Sequence, residues 1–172
     1  MNNILDKKGR TQLIGLVDEL IQHNNILKIL KLGDVKLPER IGRNAGFDFF
    51  IPNDFKNHIL KKGDHIKIPS KIKVKIPNGY SLIAFNKSGI SVKYGLQIGA
   101  CVVDENYTGE IGLHVMNFGP KDVELIPGMK IVQFILLKMN YAIPIEYYDE
   151  NDLYNDIDYM ERGDGGFGST GI

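Results

Sequence analysis

IKIPSKIKVKIPNGYSLIAF, residues 66–85, decides the fold class. Ile66, Ile68, Ile72, Val74 and Ile76 alternate with polar side chains, and a period of two puts the apolar set on one face of an extended chain and the lysines on the other. Pro69 has no N–H to give to a ladder and interrupts the run. Asn78-Gly79 offers the positive backbone angles of a tight two-residue hairpin, so SLIAF at 81–85 is expected to be the return strand.

Downstream, short strands are expected in VKYGLQI (92–98), ACVVD (100–104), EIGLHVMNF (110–118), VELI (123–126) and KIVQFILLKM (130–139), separated by Gly-, Asn- or Pro-containing turns at short, regular spacing. Upstream, ILKILKL at 26–32 reads as a first strand. The pattern predicts an all-β domain over 26–147, a barrel or jelly roll. Residues 11–22, TQLIGLVDELIQ, place Leu13, Leu16, Val17, Leu20 and Ile21 at three- and four-residue spacing, which predicts a helix within an N-terminal extension over 1–25. Its apolar stripe must be covered, by an end of the β domain, by an interface between copies of the chain or by another protein. From 148 to 172 the periodicity dies; residues 149–172 hold seven acidic residues and one arginine in a glycine-rich sequence. Such a segment is expected to be a flexible arm that orders only on something else.

The chain of 172 residues, 43% hydrophobic and 24% charged, is one domain's worth of protein with enough apolar material for a core. One cysteine, Cys101, excludes an intramolecular disulfide framework and, with no Cys/His pair at ligand spacing, argues against structural zinc. No cleavable leader is recognisable, and the apolar run from Ile131 to Leu137 is broken by Gln133 and far shorter than a membrane span of roughly 20 residues. A reducing location is expected: cytoplasm, or host cytoplasm for a viral chain. Charge is zero overall but uneven: residues 1–98 hold 17 Lys/Arg against 8 Asp/Glu, and 99–172 hold 4 against 13, so the halves carry +9 and −9. Because the lysines alternate with Ile and Val, the basic half reads as the solvent face of strands, and no stable nucleic-acid binding is expected.

Three features carry chemistry. Gly163, Gly165 and Gly168 satisfy G-x-G-x-x-G, but neither a dinucleotide fold nor a kinase fits a motif with four residues left after it. What remains is Arg162, several unshielded N–H groups and the hydroxyls of Ser169 and Thr170, which suit an oligophosphate, with Phe167 as a flat face for a base. Asp48 in NAGFDFF and Asp104 in ACVVDENYTGEI sit in apolar or strand-end surroundings, where a carboxylate is costly unless paired, hydrogen-bonded or near a metal. The plain alternatives are turn caps for the two aspartates and a solvated tail for the glycines.

Together these segments resemble, in order, the five signature motifs of the homotrimeric dUTP pyrophosphatases: NAGFDFF (44–50), NKSGIS (86–91), GACVVDENYTGEIG (99–112), PGMKIVQF (127–134) and RGDGGFGSTG (162–171). The resemblance implies a distorted jelly-roll barrel, a homotrimer with active sites between subunits, and dUTP hydrolysis to dUMP and pyrophosphate with Mg2+. It makes Asp104 the general base that activates water against the α-phosphorus. Lys87, Ser88 and Gly89 would meet the phosphate chain, and Asp48 and Gln133 would reach the metal through water, Gln133 also facing substrate. Gly99, Ala100 and Cys101 would read the uracil edge, and Tyr107 would lie beneath the deoxyribose. From the arm, Arg162 would pair with the γ-phosphate, Phe167 would stack on uracil, and Gly168, Ser169 and Thr170 would close over the phosphates. Two family arginines are lysines here, Lys87 and Lys130, and a planar fork is not equivalent to a point charge. The nearest rival is a dCTP deaminase, or a bifunctional deaminase and diphosphatase, of the same superfamily; Asp104 in its VVD context and the full fifth motif speak against it. A regulatory binding module on this scaffold, docking through the N-terminal helix, is the reading from another class.

Overall fold

The computed structural model describes residues 26–155, and the chain divides into two compact units, the first ending at Asn140 and the second starting at Tyr141. The expected helix at 11–22 and the arm residues Arg162, Phe167, Gly168, Ser169 and Thr170 lie outside the described residues.

Nearly all regular elements of the first unit are strands, as the period of two requires. They are β1 (Lys28–Lys31), β2 (Gly46–Phe50), β3 (His58–Leu60), β4 (His65–Pro69), β5 (Ile72–Lys75), β6 (Tyr80–Asn86), β7 (Leu96–Ile98), β8 (Val102–Val103), β9 (Gly112–Asn117), β10 (Val123–Leu125) and β11 (Lys130–Lys138), with α1 (Ser88–Tyr94) between β6 and β7. They pair antiparallel in four sheets, ordered β2-β11-β6-β8, β4-β9-β7, β1-β5 and β10-β3. Among the described residues no closed barrel forms: the strands make four separate sheets. One core joins them: Leu82, Leu113, Val115, Val132 and Phe134 are buried, and the Phe49 and Phe134 rings lie 4.6 Å apart at 56°. On β11 a register shift between Lys130 and Val132 turns both Ile131 and Val132 inward, which strict alternation forbids.

Two expectations are corrected. Asn78-Gly79 is a turn, with Tyr80 N–H bonded to Pro77 O at 3.2 Å, but of this pair only Gly79 has positive φ (+79°). That is a type II turn rather than type I′, and its twist does not fold a strand back onto its neighbour. Accordingly β5 pairs with β1, whereas β6 pairs with β11 and β8. VKYGLQI is not one strand: Val92, Lys93 and Tyr94 end α1, Gly95 takes the left-handed cap (φ 70°) with its N–H on Ser91 O at 2.8 Å, and only Leu96–Ile98 is strand. Strands β2 and β3 escape the sequence reading because Asp48 breaks the apolar face of one and the other is three residues long.

In the second unit, where no regular structure is expected after Tyr148, Asp149 accepts from Asn151 N–H at 2.8 Å and caps a single helical turn, α2 (Glu150–Leu153). Among the described residues no helix is long and apolar enough to cross a membrane.

Candidate functional site

The first unit gathers the expected residues into two places. The first forms where β2, β11 and the start of α1 meet. Antiparallel register sets Gln133 of β11 opposite Asp48 of β2, and the end of β6 delivers Asn86, Lys87, Ser88 and Gly89 beside them. Lys87 Nζ lies 2.5 Å from Asp48 Oδ1, with side-chain exposures of 23% and 16%, so the half-buried carboxylate is compensated as such a group must be. Lys130 Nζ reaches the other oxygen, Asp48 Oδ2, at 3.6 Å and is bonded to Glu39. The Glu39 hydrogen bond, opposed by desolvation and aided by the charges of Glu39 and Asp48, holds the Lys130 ammonium above the usual lysine range. The Gln133 amide donates to Asn86 O at 2.8 Å, which fixes the side chain. Lys87, Ser88, Gly89, Lys130 and Gln133 line a cavity of about 360 Å³. No side chain caps α1, so its first N–H groups lack a side-chain partner beside that cavity. Glu39 is a member that sequence reasoning missed; nothing in its local pattern distinguishes it from a surface acid.

The second place is the segment 99–114. Ala100, Cys101, Val103, Tyr107 and His114 line a cavity of about 230 Å³. Gly99 N–H bonds to His114 O at 3.1 Å, and a Cβ on Gly99 would lie 2.0 Å from His114 Nδ1, so only glycine permits this approach. Ala84 N–H holds Cys101 O at 2.7 Å. Tyr107 N–H closes a turn on Asp104 O at 3.1 Å, and the Tyr107 hydroxyl donates to Glu110 O at 2.9 Å. One expectation fails here: Asp104, read from the sequence as ending a buried strand, is exposed, because β8 is only two residues long and the chain leaves the sheet after Val103. Tyr107 is 45% exposed. His65 and His114 went unnoticed in the sequence, where each is a lone histidine on an alternating strand.

No residue lines both cavities. Among the described residues, no three or more His, Cys, Asp or Glu side chains converge as metal ligands. The oxygen donors at the first place, the Asp48 carboxylate and the Gln133 amide, fit contact with a hydrated hard cation better than a direct cage.

With this geometry in view, the dUTPase family model matches residues 36–171, which spans both places and the C-terminal glycine-rich motif. The chain belongs to the dUTPase family. It is 32% identical over 146 residues to the deoxyuridine 5'-triphosphate nucleotidohydrolase of Fowlpox virus (strain NVSL), covering 84% of this chain and 96% of that protein. The fold is that of solved dUTPases. The Staphylococcus bacteriophage 80alpha dUTPase with dUpNHpp superposes with a TM-score of 0.73 at 22% identity, over 86% of this chain and 99% of that one. A dUTPase from phage phi11 of S. aureus, described with a structural Mg(II) ion, gives 0.64 at 20% identity, over 74% and 99%. As a dUTPase chain, this one carries the second and fourth motifs with lysine at Lys87 and Lys130, and both lysines are already engaged with carboxylates.

Proposed function

We propose that the chain hydrolyses dUTP to dUMP and pyrophosphate in active sites assembled from neighbouring copies of a homotrimer. The observation that carries this reading is the separation of the two places: one holds cations, an amide and a hydroxyl suited to phosphates, the other main-chain groups suited to a base, and they share no lining residue. A substrate with a base at one end and a triphosphate at the other needs both, and a second copy supplies the missing half.

Asp104, exposed at the turn after β8, takes a proton from a water whose oxygen attacks the α-phosphorus; the bond to the α,β-bridging oxygen breaks and pyrophosphate leaves. Lys87, Ser88 and Gly89 meet the phosphate chain, with Lys87 exchanging Asp48 for a phosphate oxygen. Asp48 and Gln133 would reach the water shell of a Mg2+ ion, which would supply charge neutralisation of the triphosphate. Gly99, Ala100 and Cys101 present main-chain groups to the uracil edge, a recognition that leaves cytosine with mismatched donors. Tyr107, tied to Glu110, offers its ring face to the deoxyribose. Arg162, Phe167, Gly168, Ser169 and Thr170 close over the nucleotide and exclude water.

Mixing decides between shared and single-chain sites. Asp104→Asn and Ser88→Ala chains, each inactive or nearly so alone, are unfolded together and refolded. Recovery of dUTP hydrolysis in the mixture is expected. No recovery, or a monomer in solution, overturns the shared site, and ammonia release from dCTP overturns the reaction.

A further inference from the structure

His114 stands outside every role assigned above, yet its ring is bonded to the segment that reads the base. Ala100 N–H points at His114 Nδ1 at 2.8 Å, and His114 Nε2 lies 3.1 Å from His65 Nδ1, with the two rings edge to face at 78° and 5.2 Å. An N–H can be received only by an unprotonated nitrogen, so the Ala100 bond leaves the His114 proton on Nε2. That proton is donated to His65 Nδ1, which puts the His65 proton on its own Nε2. Only the neutral pair makes both links. A proton added at His114 Nδ1 faces the Ala100 N–H, and one added at His65 Nδ1 faces the His114 N–H.

Gly99 N–H, Ala100 N–H and Cys101 O are engaged, whereas among the described residues no hydrogen bond uses the Cys101 N–H or the carbonyls of Gly99 and Ala100. An adjacent donor and acceptor of this kind match the O4 and N3–H of uracil, and cytosine presents the reverse pair there. We propose that His114 is a positioning residue for base selection: by consuming the Ala100 N–H it fixes the peptide that orients these groups, and the His65 contact fixes the tautomer able to do so. The proposal rests on placing the base at 99–101.

The groups facing the pair are few. From β4 come His65 itself and Lys67, the latter directly opposite His114 in register. From β7, which runs beside β9, come Leu96, Gln97 and Ile98, none of them titratable. Cys101, Tyr107 and Glu110 line the same cavity. A cation on His114 would therefore sit against Lys67, with Glu110 the carboxylate sharing its cavity.

The test uses full-length protein, with dUTP hydrolysis and Ala100 amide hydrogen exchange followed. His114→Leu removes the acceptor; His114→Asn places an amide oxygen where Nδ1 stood. For His114→Leu the expected result is loss of Ala100 protection and a KM for dUTP raised roughly fivefold to tenfold, with kcat within about twofold, as for one lost hydrogen bond. His114→Asn, whose amide oxygen can accept the Ala100 N–H, is expected to restore both. Unchanged Ala100 exchange in His114→Leu overturns the anchor itself. Lost protection with an unmoved KM leaves the anchor standing but overturns its link to selection, and faults the placement of the base. Failure of His114→Asn to restore Ala100 protection and the KM also overturns the proposal.

Discussion

The pocket at Lys87 and the pocket at Ala100 lie on one small unit but are built on opposite principles. The first holds its polar groups by charge: two ammonium groups, two carboxylates and a pinned amide, with lysine stems covering apolar surface as Lys130 does over the Phe50 ring, 5.2 Å from its centroid. The second holds its groups by main-chain bonds and a neutral imidazole, with a glycine where any side chain would collide. Point charges tolerate displacement and are screened by salt; hydrogen-bonded peptides are short-ranged and directional. A triphosphate is recognised well by the former and a base edge by the latter.

The sharpest break between the two regions is at Asp104, which belongs to the segment 99–114 by position and to the phosphates by proposed chemistry. Asp104→Asn is expected to lower kcat about 10²- to 10⁴-fold with a nearly unchanged KM, measured by pyrophosphate release. A fall in affinity alone would return Asp104 to the base pocket. Next in size, Gly99→Ala drives a Cβ into the His114 ring and is expected to raise KM for dUTP roughly tenfold or more while inorganic pyrophosphate binding is unaltered. Lys87→Met removes one of the Asp48 partners; a loss of about 1–3 kcal/mol in denaturant unfolding is expected, with a raised KM that depends less on salt than that of the unaltered chain. A salt dependence identical to the unaltered chain would place the triphosphate elsewhere.

The smallest effect lies away from both pockets. The hydrogen bond from Lys71 holds the exposed Asp54 carboxyl below the usual carboxylate range. A depressed folded value means stability that is present above the unfolded value of about 4 and is lost as pH falls through the folded one. Lys71→Met is therefore expected to lower Tm by about 2 °C at most at pH 7, with the difference shrinking as the solution is acidified through the carboxylate range, since exposed pairs contribute little.

Much of the first unit was legible because burial imposes a period on a strand. Ile68, Ile72, Val74, Ile76, Leu113, Val115 and Phe134 alternate in the sequence and are buried in the structure. The alternation does not state partners: IKVK and SLIAF are neighbours in sequence but lie in different sheets, because the turn between them has positive φ at Gly79 and not at Asn78. Motif order placed Asp48, Lys87, Ser88 and Gln133 together. It gave no sign that Lys87 and Lys130 converge on one carboxylate, that Glu39 joins them, or that Asp104 is exposed.

By itself, then, the order of residues determined the all-β class, the composition of the core and the identity of the chemical groups, since hydrophobic period and residue type are local properties of a chain. Tertiary structure alone decided which strands pair, which charges neutralise one another, and that a histidine from β9 grips the peptide at Ala100. Those facts depend on distances of about 3 Å between residues far apart in sequence, and the pattern of a single strand does not encode such distances.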